Sequence, residues 1–183
     1  QDVAHDIFIH HADRLGVRDQ LDQHVIEQSL ALLEQLRQRD ASLSIFVPVG
    51  AVTLSNPQAI QNIIGMLKAV PDRANGIVLD MPHVALASLS EASLEGLATF
   101  ARAGVLLSLS QASIAGIDLP SLSRLNVRWI SLAASSVGVG VRISAGLAGF
   151  VQSARAMRIQ VVISHLGDPR QVQGLSRTAR FAS

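Results

Sequence analysis

The chain has 183 residues with 15 basic and 14 acidic side chains, no cysteine and no tyrosine; 49% of residues are hydrophobic but only 3% aromatic. This length suffices for one sizeable core, and the missing cysteines exclude disulfides, iron–sulfur clusters, thiol catalysis and Cys-type zinc sites. A net charge of +1 without a basic block, and few rings to stack on bases, argue against a nucleic-acid polymer as partner.

The first residues, Gln1 to Asp6, have neither the basic start nor the apolar run of a signal peptide. A first helix covers Phe8 to Val17. In the next, Leu21, Val25, Leu32 and Leu36 form an apolar stripe that Ile26, Leu30 and Leu33 broaden. Leu43 to Val47 reads as a strand, and Asn56-Pro57 as a cap followed by proline at the first helical position. The uncharged stretch from Ala41 to Leu67 is too polar to span a membrane, being broken by Pro48, Asn56, Pro57, Gln58, Gln61 and Asn62. A second strand, Gly76 to Leu79, leads to a helix in which Ser88 and Glu91 form a capping box, Leu94, Leu97 and Phe100 face the core, and Gly104 ends the last turn. Val105–Leu109, Val127–Leu132 and Ile159–Ile163 are further strands, and Asp168-Pro169 repeats the cap-and-proline device.

These strands are nearly continuously apolar, as expected where both faces of a parallel sheet are covered. Their alternation with helices predicts an α/β fold, either an open doubly wound sheet or a (β/α) barrel. No strand is followed by G-x-G-x-x-G; Gly138-Val139-Gly140 lacks the third glycine and a later acidic residue, which disfavours dinucleotide binding. Nothing divides the chain, so residues 1–183 are expected to form one domain.

Several segments then resemble one family, the EAL domain of cyclic-di-GMP phosphodiesterases. Phe8-Ile9-His10-His11-Ala12-Asp13-Arg14-Leu15-Gly16-Val17 is similar to its F-I-P-x-A-E-x-x-G-L segment, and Leu21-Asp22-Gln23-His24-Val25-Ile26 to its I-D-x-W-V-L helix start. Gly104 to Ala133 lies without a gap over its G-I-x-I-A-L-D-D-F-G-T-G-Y-S-S-L stretch and the K-I-D that follows, with Leu119, Leu122, Leu125, Val127 and Ile130 on apolar positions. The resemblance implies a TIM-barrel-like (β/α) fold, incomplete at both ends: the family's first strands and its closing strand have no counterpart here.

The positions that carry chemistry in the family differ. Its members hold divalent metals with carboxylates and an asparagine at strand C-termini, where such barrels assemble their sites. Val47-Pro48-Val49-Gly50 matches V-N-L-S, placing Pro48 at the asparagine. Leu79-Asp80-Met81-Pro82-His83 matches L-E-I-T-E, leaving Asp80 and His83 at the glutamates. Ser110 and Gln111 stand at the paired aspartates, Ser131 and Ala133 at the lysine and aspartate of K-I-D. Ser164 and Gly167 stand at the glutamates of V-A-E-G-V-E, and the Glu-Ala-Leu tripeptide itself is absent. Two hard cations need several anionic oxygens, so the resemblance implies a degenerate, catalytically inactive domain without metal or other cofactor. Its vestigial ligand-binding set would be Asp80, Ser110, Gln111, Ser131 and Ser164.

The function implied is regulatory: protein contacts in a bacterial cyclic-di-GMP signalling pathway, including flagellar or polar assembly, as some degenerate members serve. The alternative is a receptor that binds cyclic-di-GMP without hydrolysis, and a remote one an active phosphodiesterase with a rearranged site. The setting implied is cytoplasmic, with any membrane tether left to segments outside this chain. Other residues have plainer readings. His5, His10 and His11 read as solvated or interface histidines, because adjacent helical positions lie about 100° apart and share no face well. Asp80, His83 and His165 form a candidate metal cluster against the plainer reading of polar rim residues. The serines, among them Ser108, Ser113, Ser135 and Ser136, lack a G-x-S-x-G elbow and read as structural hydroxyls. Trp129 is expected to pack against a helix with Arg128 on the opposite face, and Val137 to Val141 reads as an apolar loop. Lys68 is the only lysine, a compositional bias without functional content.

Overall fold

The computed structural model describes residues 5–87, 89–133 and 145–164. In chain order these form α1 (His5–Leu15), α2 (Arg18–Arg37), β1 (Ile45–Pro48), α3 (Ala51–Leu54), α4 (Pro57–Ala69), α5 (Pro71–Ala74), β2 (Ile77–Pro82) and α6 (His83–Ala87). Then follow α7 (Glu91–Arg102), β3 (Leu106–Ala112), α8 (Leu119–Arg124), β4 (Val127–Ala133), α9 (Ala145–Ala156) and β5 (Gln160–Ser164). The strand order follows the chain, β1-β2-β3-β4-β5. The predicted α/β class with a parallel sheet is therefore what the chain adopts. Contact density separates two compact units, Gln1–Met81 with Ser88–Leu106, and Pro82–Ala87 with Leu107–Ser183.

In the first unit, β1 and β2 pair in parallel from Ile45↔Ile77 to Pro48↔Asp80. Ile77, Val78 and Leu79 are all buried, as an apolar run covered on both faces should be. Glycine ends α1: Gly16 takes φ +67°, its N–H donates to the Asp13 carbonyl and that of Val17 to the Ala12 carbonyl, at 3.2 and 3.1 Å. Gly104 closes α7 in the same way, as the sequence predicts. The Asn56 side chain accepts from the Gln58 and Ala59 N–H groups, with Pro57 at the first helical position of α4. Its amide also donates to Asp19 on α2 at 2.8 Å.

Three expectations change here. The buried face of α2 is Arg18, Asp22, Ile26, Leu30 and Leu33, whereas Leu32 is 48% exposed. The stripe is rotated because the face begins with a buried ion pair, which hydrophobic periodicity cannot register. The cap of α7 is Ser90, whose hydroxyl accepts from the Ser93 N–H; Ser88 of the expected capping box lies outside the described residues. Leu94 consequently points outward, 45% exposed, while Leu97 and Phe100 are buried.

In the second unit, β3, β4 and β5 pair in parallel. Leu107, Leu109, Ile130 and Leu132 are fully buried. Asp118 caps α8, its carboxylate accepting from the N–H and hydroxyl of Ser121. Trp129 is half-buried and in register with Gln160, and its indole N–H donates to the Gln160 side-chain oxygen at 3.1 Å. It thus makes a cross-strand contact, while Ile130 and Leu132 of the same strand are fully buried. No helix among the described residues is long and apolar enough to cross a membrane. Asp168-Pro169 and the 137–141 loop lie outside the described residues.

Candidate functional site

Parallel α/β folds gather ligands at the C-terminal ends of their strands, where five of the sequence-predicted residues sit. In the first unit, Asp80 near the end of β2 is in register with Pro48 at the end of β1, and the Val49 N–H donates to the Asp80 carbonyl at 2.9 Å. Pro48 therefore lies beside Asp80 on the neighbouring strand. Proline offers it no donor.

The turn after Pro48 is held by a buried polar cluster. Asp22 on α2 accepts from Arg18 Nε (2.7 Å) with one oxygen, and from the Gly50 N–H (2.7 Å) and Thr53 hydroxyl (2.6 Å) with the other. Arg18 and Asp22 are 7% and 3% exposed, so this pair is desolvated and fully hydrogen-bonded on the carboxylate side. Gly50 has no side chain to cap α3; Asp22, from another helix, instead ties down the Gly50 N–H and the Thr53 hydroxyl at its start. A side chain at Gly50 would meet the Arg18 guanidinium at 3.1 Å. Sequence reading assigned Asp22 only to a helix start; its pairing with positions 50 and 53 is long-range and leaves no local signal.

In the second unit, β3 and β4 are in register at Leu109↔Ile130 and again at Ala112↔Leu132. Ser110 and Gln111 thus face Ser131 alone, which makes a β-bulge at the strand end. Gln111 is exposed with φ +52°, an unusual backbone for a side-chain-bearing residue. Two residues on, the Ser113 N–H donates to Nδ1 of His83, the first residue of α6, at 3.3 Å. Ser110, Gln111 and Ser131 are therefore brought into one row. Ser164 lies at the level of Ala133 on the neighbouring strand, and its hydroxyl donates to the Leu132 carbonyl at 3.4 Å.

The proposed histidine clusters fare differently. With Nδ1 accepting from Ser113, the neutral His83 ring carries its proton on Nε2, and neither nitrogen keeps a free lone pair for a metal. His165 lies outside the described residues, as does the His5 side chain. The His10 and His11 rings are exposed, with centroids 6.5 Å apart. No group of three His, Cys, Asp or Glu able to hold a metal occurs among the described residues. An apolar pocket of about 340 Å³ is lined by His11, Ala12, Leu15, Val17, Gln20 and Leu21, from α1, α2 and the turn that joins them.

The family model of the EAL domain matches residues 1–178. This chain is an EAL domain. Among solved structures, the Xanthomonas citri FimX EAL domain in complex with cyclic-di-GMP superposes with a TM-score of 0.79 at 14% identity, over 97% of this chain and 72% of that one. The PaMucR phosphodiesterase in complex with cyclic-di-GMP gives 0.75 at 17%, over 96% and 78%. Vibrio cholerae LapD, a longer S helix-GGDEF-EAL chain bound to cyclic-di-GMP, gives 0.70 at 16%, over 92% of this chain and 41% of its own length. No curated protein matches. At these identities the likeness establishes the EAL fold, which agrees with the family resemblance read from the sequence.

Proposed function

We propose that this EAL domain is a regulatory receptor that binds cyclic-di-GMP without hydrolysing it and passes the signal on through protein contacts. The observation that carries this reading is the donor set at the strand ends. The first unit offers the Asp80 carboxylate beside Pro48; the second offers the neutral side chains of Ser110, Gln111, Ser131 and Ser164. Divalent metal pairs that activate water for phosphodiester cleavage need several anionic oxygens, and Mg²⁺ demands near-octahedral oxygen ligation. These residues do not fit such a pair, so no hydrolytic step is derived through one. What remains is hydrogen-bonding capacity suited to a nucleotide. Solved relatives that share the fold, the FimX EAL domain and LapD, are complexes with cyclic-di-GMP, which supports the choice of ligand. The setting that fits is a bacterial second-messenger pathway in the cytoplasm, flagellar or polar assembly among its outputs.

The test is calorimetric titration of cyclic-di-GMP into the folded chain with Mg²⁺ or Ca²⁺ present, followed by chromatography of the nucleotide. Saturable heat with intact nucleotide is expected. Linearised product would make the domain a phosphodiesterase and overturn the reading. No heat would leave a scaffold that works through protein contacts independently of nucleotide.

A further inference from the structure

The chain has four asparagines, and their surroundings differ. Asn56 is followed by Pro57, which has no backbone N–H, and its side chain is held by Asp19 and by the first N–H groups of α4. Asn62 lies within α4, bonded through its side chain to both Gln23 and Gln58, and precedes the β-branched Ile63. Asn126 precedes Val127, which is also β-branched. Asn75 precedes Gly76 in the turn between α5 and β2. It is exposed, and its carboxamide has no hydrogen-bond partner among the described residues. Packing fixes the glycine beside it: a Cβ at Gly76 would lie 2.6 Å from Leu33 Cδ2 and 2.7 Å from the Arg37 guanidinium on α2.

We infer that Asn75 is a site of covalent self-modification, at which the side-chain amide is lost to attack by the Gly76 nitrogen and the product alters the start of β2. The Gly76 backbone nitrogen gives up its proton and bonds to Asn75 Cγ, and the side-chain nitrogen leaves with that proton as ammonia, closing a succinimide. Water then opens the ring at either carbonyl. One opening restores an ordinary main chain with aspartate at 75; the other routes the main chain through the former side chain and gives isoaspartate. The sum consumes one water and releases one ammonia. A residue without Cβ at 76 lets the nitrogen reach Cγ, whereas proline has no proton to give and a β-branched neighbour crowds the approach. Isoaspartate lengthens the main chain by a methylene just before Gly76, whose carbonyl accepts the Ile45 N–H at 2.8 Å as the first rung of the β1–β2 pair. A parallel ladder sets each donor against one carbonyl, so this product loosens that rung, while aspartate adds only charge.

The experiment ages the full native chain in mildly alkaline buffer at physiological temperature and maps it by mass after trypsin digestion. The tryptic peptide Ala74–Arg102 contains Asn75 and no other asparagine. It is expected to gain about one mass unit and to separate into two isomers, faster at higher pH, while the peptides carrying Asn56, Asn62 and Asn126 keep their mass. Asn75→Gln, whose longer side chain closes the corresponding ring far more slowly, should fold as the wild type does and keep its starting mass. Aged wild type should lose hydrogen-exchange protection at the Ile45 amide in proportion to its isoaspartyl fraction. Aged Asn75→Gln and freshly made Asn75→Asp should retain that protection. Deamidation that appears only in urea, or first at another asparagine, overturns the site. Full protection of the Ile45 amide in purified isoaspartyl protein overturns its effect on the strand pair.

Discussion

Two helical glycines show how much one methyl group can mean in different surroundings. A Cβ built on Gly96 in α7 would run into the Leu54 carbonyl oxygen and Ile60 Cδ1, whereas one on Gly65 in α4 would meet nothing within 4 Å. Gly96→Ala is therefore expected to cost roughly 1–3 kcal/mol through overpacking against backbone that cannot yield. Gly65→Ala should instead stabilise by about 1 kcal/mol, the helix-propensity difference alone. Chemical denaturation of the two variants checks the opposite signs. Asp118 gives a pH prediction at the same scale. Its pKa is held below the ordinary 3.8 by the Ser121 hydroxyl first and the Ser121 N–H second. A carboxylate with a lowered folded-state pKa stabilises above its unfolded value and loses that contribution as pH falls through the folded one. Asp118→Ala should thus melt below the wild type at neutral pH, with the gap closing in acid below about pH 3.8. A gap that persists at low pH would contradict the cap.

Among elements, α2 carries the largest polar stake. Removing Asp22 would leave Arg18 charged and buried and deprive the Gly50 N–H and Thr53 hydroxyl of their acceptor. Asp22→Ala is expected to lose about 3–5 kcal/mol, and replacing Arg18 with Met in the same background should recover part of it, measured by urea unfolding. The same helix shows where legibility ends. Asn56-Pro57 and Gly104 were readable because caps and stops act on their own neighbours in sequence. The true face of α2 was hidden because a paired arginine and aspartate behave as core only once the partner loop arrives. Gln111, and likewise Arg158 with φ +60° at the end of α9, carry left-handed backbones that no glycine announced. Ser90 displaced Ser88 as cap for a subtler reason: several serines precede α7, and local chemistry does not rank them.

For the whole molecule, the strands and their parallel α/β class were legible from apolar runs covered on both faces, and the family from short segments in the right order. The placement of Asp80, Ser110, Gln111, Ser131 and Ser164 at strand ends was legible, since it follows from the apolar runs that precede them. Their geometry was not, because a register break between β3 and β4 depends on both strands at once. Ligand linkage offers a test at this scale. Cyclic-di-GMP at 100 times its dissociation constant should stabilise the folded chain by about 2.7 kcal/mol. That corresponds to a rise in melting temperature of roughly 5–10 °C for a chain of this size. A second messenger that leaves the melting temperature unmoved under those conditions would contradict specific binding to the native state.

The hold that Asp22 takes on the start of α3 also bears on the order of events during folding. Its acceptor oxygen meets Gly50 and Thr53 across 28 and 31 residues of chain. A four-residue helix has almost no stability of its own, since nucleation costs more than so few hydrogen bonds return. The turn after β1 must therefore wait for α2, and a synthetic peptide covering residues 45–56 should be unstructured by circular dichroism. The turn that follows Pro48 is thus among the later parts of its unit to set. Its shape is inherited from a helix made earlier in the chain.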